Sequence, residues 1–304
     1  MPTAPTVSLF QRAAAAFAAS VPAAPADDGI FGPGSVTWRV NADLSAPVAG
    51  LRSLLLQALH PLAMAGVEQH SDWRRDPGGR FASTAAYVVA TTYGDTATAR
   101  AAAARVRKIH ETVRGTDPVT GLPYAANDPE LLLWVHAALV DSGLAACQLY
   151  GTPLPAAEAD RFVAEMTAAA ELIGIPAGMA PASVAELDAY FAGVRPSLAS
   201  SASTADTATY LLGMPDIEPE LAEVWQVLAA ASIAALPSWA RELHGFGDDE
   251  PPRREPVRQV LGVLDVVYLG EPGVLEARQR LTLRMRAAQD AAAAQDTAGQ
   301  QAGR

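Results

Sequence analysis

No stretch of this sequence alternates apolar and polar residues over a useful length, whereas apolar residues recur at three- and four-residue intervals almost throughout. The first pattern is what a half-buried strand needs and the second is what an amphipathic helix needs. Alanine, the best helix former, is abundant and aromatic residues are few. The chain is therefore expected to be all-α. Half of its 304 residues are apolar, enough for a large core. The expected organisation is a peripheral N-terminal helix and linker over 1–28, one large helical domain over 29–290 and a flexible tail over 291–304.

Local signals set several boundaries. Asn127-Asp128-Pro129-Glu130 is a helix start, with a capping side chain, proline in the first turn and an acid at the positive end. Ser183 stands three residues before Glu186, the spacing of a capping box. A buried helix is expected from about Ser45 to Val67, kinked at Pro61. Proline has no N–H, so the carbonyl of Gln57 should lose its helical donor close to His60. Further helices are expected from Phe81 to about Thr92 and from Thr96 to Val113, followed by a loop, TDPVTGLPYAAN.

Composition removes several function classes. The net charge of −11 argues against nucleic acid and against docking on anionic lipid, both of which need a basic face. One cysteine, Cys147, excludes an intramolecular disulfide, a multi-cysteine zinc site and an iron–sulfur cluster. No run reaches the roughly 18 consecutive apolar residues of a membrane span. The N-terminal segment has neither a basic leader region nor a twin-arginine pair, so a cytoplasmic location is expected.

Of the five histidines, His60, His70, His110 and His136 fall in the largely apolar first half, and His244 lies in a polar stretch. A buried imidazole needs a partner: a backbone carbonyl, a carboxylate, a metal or a haem iron. For one histidine a hydrogen-bonded core role is the simpler reading. Several in one segment favour a shared site. His110-Glu111 begins like a zincin helix, but Arg114 stands where the second histidine belongs. Hydrolase elbows, phosphate loops and Glu-x-x-His pairs are missing. Arg80 and Thr84 share a helix face at i, i+4, a pair able to hold an anion or an oxygen-derived ligand. Spacing alone fits a helix-start ion pair for Arg80, with Thr84 a bystander, at least as well.

The ordered set GSVTWRVNAD, LLLQALHPLAMAGVEQHSDW, DPGGRFASTAAYVVATTYGD, RVRKIHETVRG and YAANDPELLLWVHAALVDS resembles the MpaB and rubber oxygenase family, formerly a domain of unknown function. The resemblance spans roughly residues 30–245. It implies an all-α fold with a globin-like core and, as in the rubber oxygenase, a b-type haem held by one histidine. By order along the chain His110 is most similar to that axial ligand, with His136 the second choice. Arg80 and Thr84 resemble the arginine and threonine beside the haem, and His60 is the choice for a distal or neighbouring role. Ser83 stands where the family has a distal lysine, and PLAMAGV where it has a catalytic glutamate. These departures count against rubber cleavage itself. The implied activity is a haem b-dependent oxygenase using dioxygen on a hydrophobic, alkene-containing small molecule. The alternatives are a helical protein that binds haem or a hydrophobic ligand without turnover, and a non-haem enzyme built on the histidines.

Overall fold

The computed structural model describes residues 9–215, 217–247 and 251–302. Among them the chain is all-α, with one very small sheet. The helices are α1 (Leu9–Ser20), α2 (Val36–Ala42), α3 (Ala46–Gln57), α4 (Pro61–His70), α5 (Pro77–Tyr93), α6 (Thr96–His110) and α7 (Pro129–Leu149). They continue with α8 (Ala156–Ile173), α9 (Val184–Val194), α10 (Ala202–Gly213), α11 (Ala222–Ala235), α12 (Ser238–His244), α13 (Arg254–Leu269) and α14 (Val274–Ala302). Strands β1 (Arg114–Thr116) and β2 (Pro123–Ala125) pair antiparallel between α6 and α7, with Gly115 opposite Tyr124.

The fold is organised around α7. Asp128 caps it as its sequence predicts, its carboxylate accepting from the Glu130 amide at 2.9 Å. The helix is apolar nearly all round, and α2, α3, α8 and α11 all pack on it. Trp134, Ala137, Ala138, Val140 and Cys147 form the main core with Leu55, Leu56, Phe162 and Leu187. By length and composition α7 would also suffice to cross a membrane, but 67% of its apolar window is buried within this fold. A second core joins α3 and the end of α7 to α11 and α13 through Leu51, Tyr150, Trp225 and Leu261.

The kink expected at Pro61 is a full break. Helices α3 and α4 meet at 100°, and His60 has left the helical region at φ −91°, ψ 113°. A residue before proline is pushed out of the helical conformation by the ring, so the helix stops instead of bending. The carbonyl of Gln57 loses the donor at Pro61 as expected, and accepts instead from the His60 amide at 3.3 Å and the Trp134 indole N–H at 3.2 Å. Ser183 accepts from the Glu186 amide at 3.2 Å, while the Glu186 carboxylate reaches the amide of Ala182, one residue earlier than in the standard box. The loop expected after α6 contains β1 and β2.

The ends of the chain lie over α5. Helix α1 packs along it, with Ala14 fully buried and Arg12 bonded to Asp76 at 2.5 Å. Helix α14 joins α1 and runs to Ala302, through residues expected to form a tail.

One buried charge locks the centre. Arg52 of α3 donates to Asp141 at 2.6 Å, Ser142 at 2.7 Å and the Ala235 carbonyl at 2.8 Å, tying α3 to α7 and α11. Removing one partner of such a pair costs more than the pair contributes. Arg52→Ala should therefore destabilise the fold by about 3 kcal/mol, the low end of the usual range because Asp141 keeps some access to water. Urea unfolding of the variant checks this, and a loss under about 1 kcal/mol would contradict it.

Candidate active site

His110 is the last residue of α6, where the helix gives way to the hairpin. Its ring is half-buried, and Nδ1 is closed to solvent without a hydrogen bond. Burial holds the imidazole below the ordinary histidine range, and the nearby Arg80 cation lowers it further. Both effects favour the neutral ring, the form able to donate a lone pair to a metal.

Arg80 lies in the first turn of α5, beyond the capping Asp76. It forms neither the helix-start ion pair that the spacing allowed nor any side-chain hydrogen bond among the described residues. Its surface is open to solvent, yet the protein around it disfavours its charge.

The rest of α5 has the same character. From Ala82 to Val89 no residue is fully buried, although α1 and α6 flank the helix. Thr84 donates its hydroxyl to the Arg80 carbonyl at 3.1 Å, which leaves the oxygen free as an acceptor. Ser83 likewise donates to Gly79 at 2.8 Å and is exposed. Tyr87 of α5 and Val106 of α6 pack against an apolar cluster formed by Leu132 and Leu133 of α7 with Ala170 and Ile173 of α8. Val106 is one turn before His110, and Leu132 is one turn before His136.

His136 is buried, and burial alone acts on its ring, pushing it down to about 4. His60 lies on the other side of α7. Its ring is 5.9 Å from that of Trp134, two residues before His136 and so on the opposite face. The four histidines of the first half therefore do not converge. Nδ1 of His60 is also buried without a partner, and burial lowers its basicity. His70 is spent on the Arg114 carbonyl at 3.1 Å, and His244 on the Leu55 carbonyl at 3.0 Å.

Among the described residues no three His, Cys, Asp or Glu side chains converge as a metal site. A surface cavity of about 530 Å³ is lined by Trp73, Arg74, Asp206 and Tyr210, and one of about 260 Å³ by Arg39, Asp43, Cys147 and Met285. Neither is lined by a histidine. The chemistry points to the region between α5 and α6, where the charge of an unpaired guanidinium acts on a half-buried imidazole.

Residues 38–267 match the family described as ER-bound oxygenase mpaB/B'/Rubber oxygenase, catalytic domain. The chain belongs to this oxygenase family. No curated protein and no solved structure matches it. The matched span of this oxygenase domain holds every histidine described above, and α1 and α14 lie outside it.

Asn127 is a site residue that its sequence context hides. It reads as part of a helix start, but its Nδ2 donates to the Arg107 carbonyl at 3.0 Å, and its side chain acts on His110. The adjacent Asp128 is committed as the cap of α7.

The depressed basicity of His136 has a measurable sign. Below pH 6.5 the unfolded chain takes up a proton at this position and the folded one does not until about 4. Stability is therefore lost as pH falls through that window, by on the order of 3 kcal/mol from this group. His136→Gln should lose distinctly less stability than the wild type between pH 7 and pH 4.5 in urea unfolding. Parallel losses in the two proteins would contradict the assignment.

Proposed function

We propose that this oxygenase domain binds haem b, with the His110 imidazole as axial ligand, and uses dioxygen to oxidise a hydrophobic, alkene-containing small molecule of isoprenoid type. The observation that carries the proposal is the meeting of His110 and Arg80. One is a half-buried imidazole whose surroundings favour the neutral form, and the other a solvent-accessible cation without a counter-charge among the described residues. A haem asks for both: a neutral nitrogen for its iron and a cation for a propionate. Bound there, haem supplies the dioxygen activation that amino-acid side chains lack.

The chain's own groups divide the remaining work. Arg80 binds and orients an anionic edge. Thr84, its proton engaged in the helix, presents an oxygen as acceptor to a neighbouring donor. Tyr87, Val106, Leu132 and Leu133 give the region an apolar lining that excludes water and suits a lipophilic substrate. Ser83 offers no cation where the rubber oxygenase pattern has lysine. His136 is the alternative ligand. His60 sits behind Trp134 and is assigned a supporting role through the α3–α4 break. The catalytic unit is taken as 29–290, with α1 as an outer helix.

The test is the absorption spectrum of protein purified from cells supplied with a haem precursor, with a pyridine haemochrome assay. A Soret band at one haem per chain is the expected result, with oxygen consumed on addition of an isoprenoid alkene. His110→Ala should lose most of the haem. Arg80→Ala should weaken haem retention roughly 10- to 100-fold, the worth of a hydrogen bond to a charged group at about 1.5–3 kcal/mol. A colourless protein that takes up no added haem would overturn the proposal. Full haem content in His110→Ala would move the ligand to His136.

A further inference from the structure

Two polar atoms at the end of α6 are closed to solvent and have no hydrogen bond: Nδ1 of His110 and Oδ1 of Asn127. They belong to neighbouring side chains, since Asn127 Nδ2 lies 3.0 Å from the Arg107 carbonyl, one turn before His110 on the same helix, in keeping with the action of the Asn127 amide on the His110 ring. An unpaired buried donor or acceptor costs about 1–3 kcal/mol, so two of them side by side form a natural pair.

The orientation of Asn127 is fixed from its other end. Nδ2 donates to the carbonyl of Arg107, one turn before His110 on the same helix. A carbonyl accepts only from a donor, so the amide cannot be turned round, and Oδ1 is the atom left for His110. The backbone holds the residue in place too. The Ala126 amide donates to Val113 at 2.8 Å and the Asp128 amide to Ala125 at 2.9 Å, anchoring the turn between β2 and α7. The adjacent Asp128 carboxylate is bound to the Glu130 amide. Arg80, the charged group that acts on the ring, has no acceptor to offer.

We infer that Asn127 is a positioning residue for His110: its Oδ1 accepts the Nδ1–H of the imidazole, leaving the Nε2 lone pair as the metal-binding atom of the ring. A neutral imidazole carries one proton, so placing it on Nδ1 decides which nitrogen can ligate. The same bond sets the plane of the ring and makes Nε2 a better donor, the usual contribution of a partner behind a ligating histidine. The role of Nε2 toward iron rests on the haem reading above. The Asn127–His110 bond itself does not.

The experiment reads the tautomer of His110 directly, in the full-length protein without haem. Long-range proton–nitrogen NMR of uniformly labelled protein separates the two tautomers by the shifts of the ring nitrogens, and His110→Gln assigns the signal by its loss. The wild type is expected to show the Nδ1–H form at pH 7.5, although free imidazole side chains in water favour the proton on Nε2. Asn127→Asp, which keeps the acceptor, should retain the Nδ1–H form, and Asn127→Leu should lose it. Both variants remove the donor to Arg107, so a merely structural effect of that lost bond would move them alike. An Nε2–H tautomer in the wild type, or an unchanged tautomer in a folded Asn127→Leu, would overturn the inference. In haem-loaded protein, Asn127→Asp should lower the reduction potential and Asn127→Leu raise it, because a stronger acceptor gives the ring more imidazolate character. Failure to load haem alongside the expected tautomers would leave this inference standing and remove only the haem reading.

Discussion

The bond between His60 and Pro61 sets the geometry from which the rest follows. The proline ring forces His60 out of the helix, and one apolar segment becomes two helices set at 100°. The break leaves the Gln57 carbonyl without its helical donor, with only a long bond of 3.3 Å from the His60 amide. Trp134 meets that need from the middle of α7, pinning the corner to the central helix. With the corner fixed, α4 runs beside the hairpin, where Gln69 bonds to Tyr124 at 2.8 Å and to the Thr116 carbonyl at 3.0 Å. The hairpin in turn fixes where α6 ends, and so where His110 stands.

Two arginines show how one residue type takes opposite roles. Arg52 is fully enclosed and has a partner for each of its nitrogens, so its charge is consumed in holding three helices together. Arg80 is open to solvent, and nothing among the described residues answers its charge. A folded chain tolerates a group of the second kind where water or a bound anion completes it. The contrast lies in both burial and the count of partners, which sequence spacing does not reveal.

Much of the helical architecture was legible in the residues. Periodicity and alanine content indicate helices, and Asp128 and Ser183 mark starts that the structure reproduces through the bonds expected of them. The freed Gln57 carbonyl was legible too, since it follows from the chemistry of proline. The extent of the break was not, because the restriction acts on His60 through a steric contact whose consequence depends on tertiary support. The hairpin escaped notice because its strands have three residues each, too few for alternation to register. Among the site residues, the i, i+4 spacing correctly placed Arg80 and Thr84 on one stretch of α5. It could not show that Arg80 would meet His110 on the next helix, or that α7 would come between His60 and His136. Asn127 was masked by its neighbour: next to a capping aspartate, an asparagine reads as turn chemistry, and only the folded chain reveals which way its amide points.

Helices α1 and α14 lie outside the span that defines the family, yet they supply the back of α5, the helix that carries Arg80 and Thr84. Helix α1 packs along α5, and Arg284 of α14 donates to the Tyr93 carbonyl at the end of α5 at 3.3 Å, so both helices are tied to that element. The unit of ancestry and the unit of folding therefore have different borders. A fragment cut to the family's limits would keep every histidine and lose the helix packed along α5. Changes in α1, outside the family's span, can thus shift the element that carries Arg80 and Thr84.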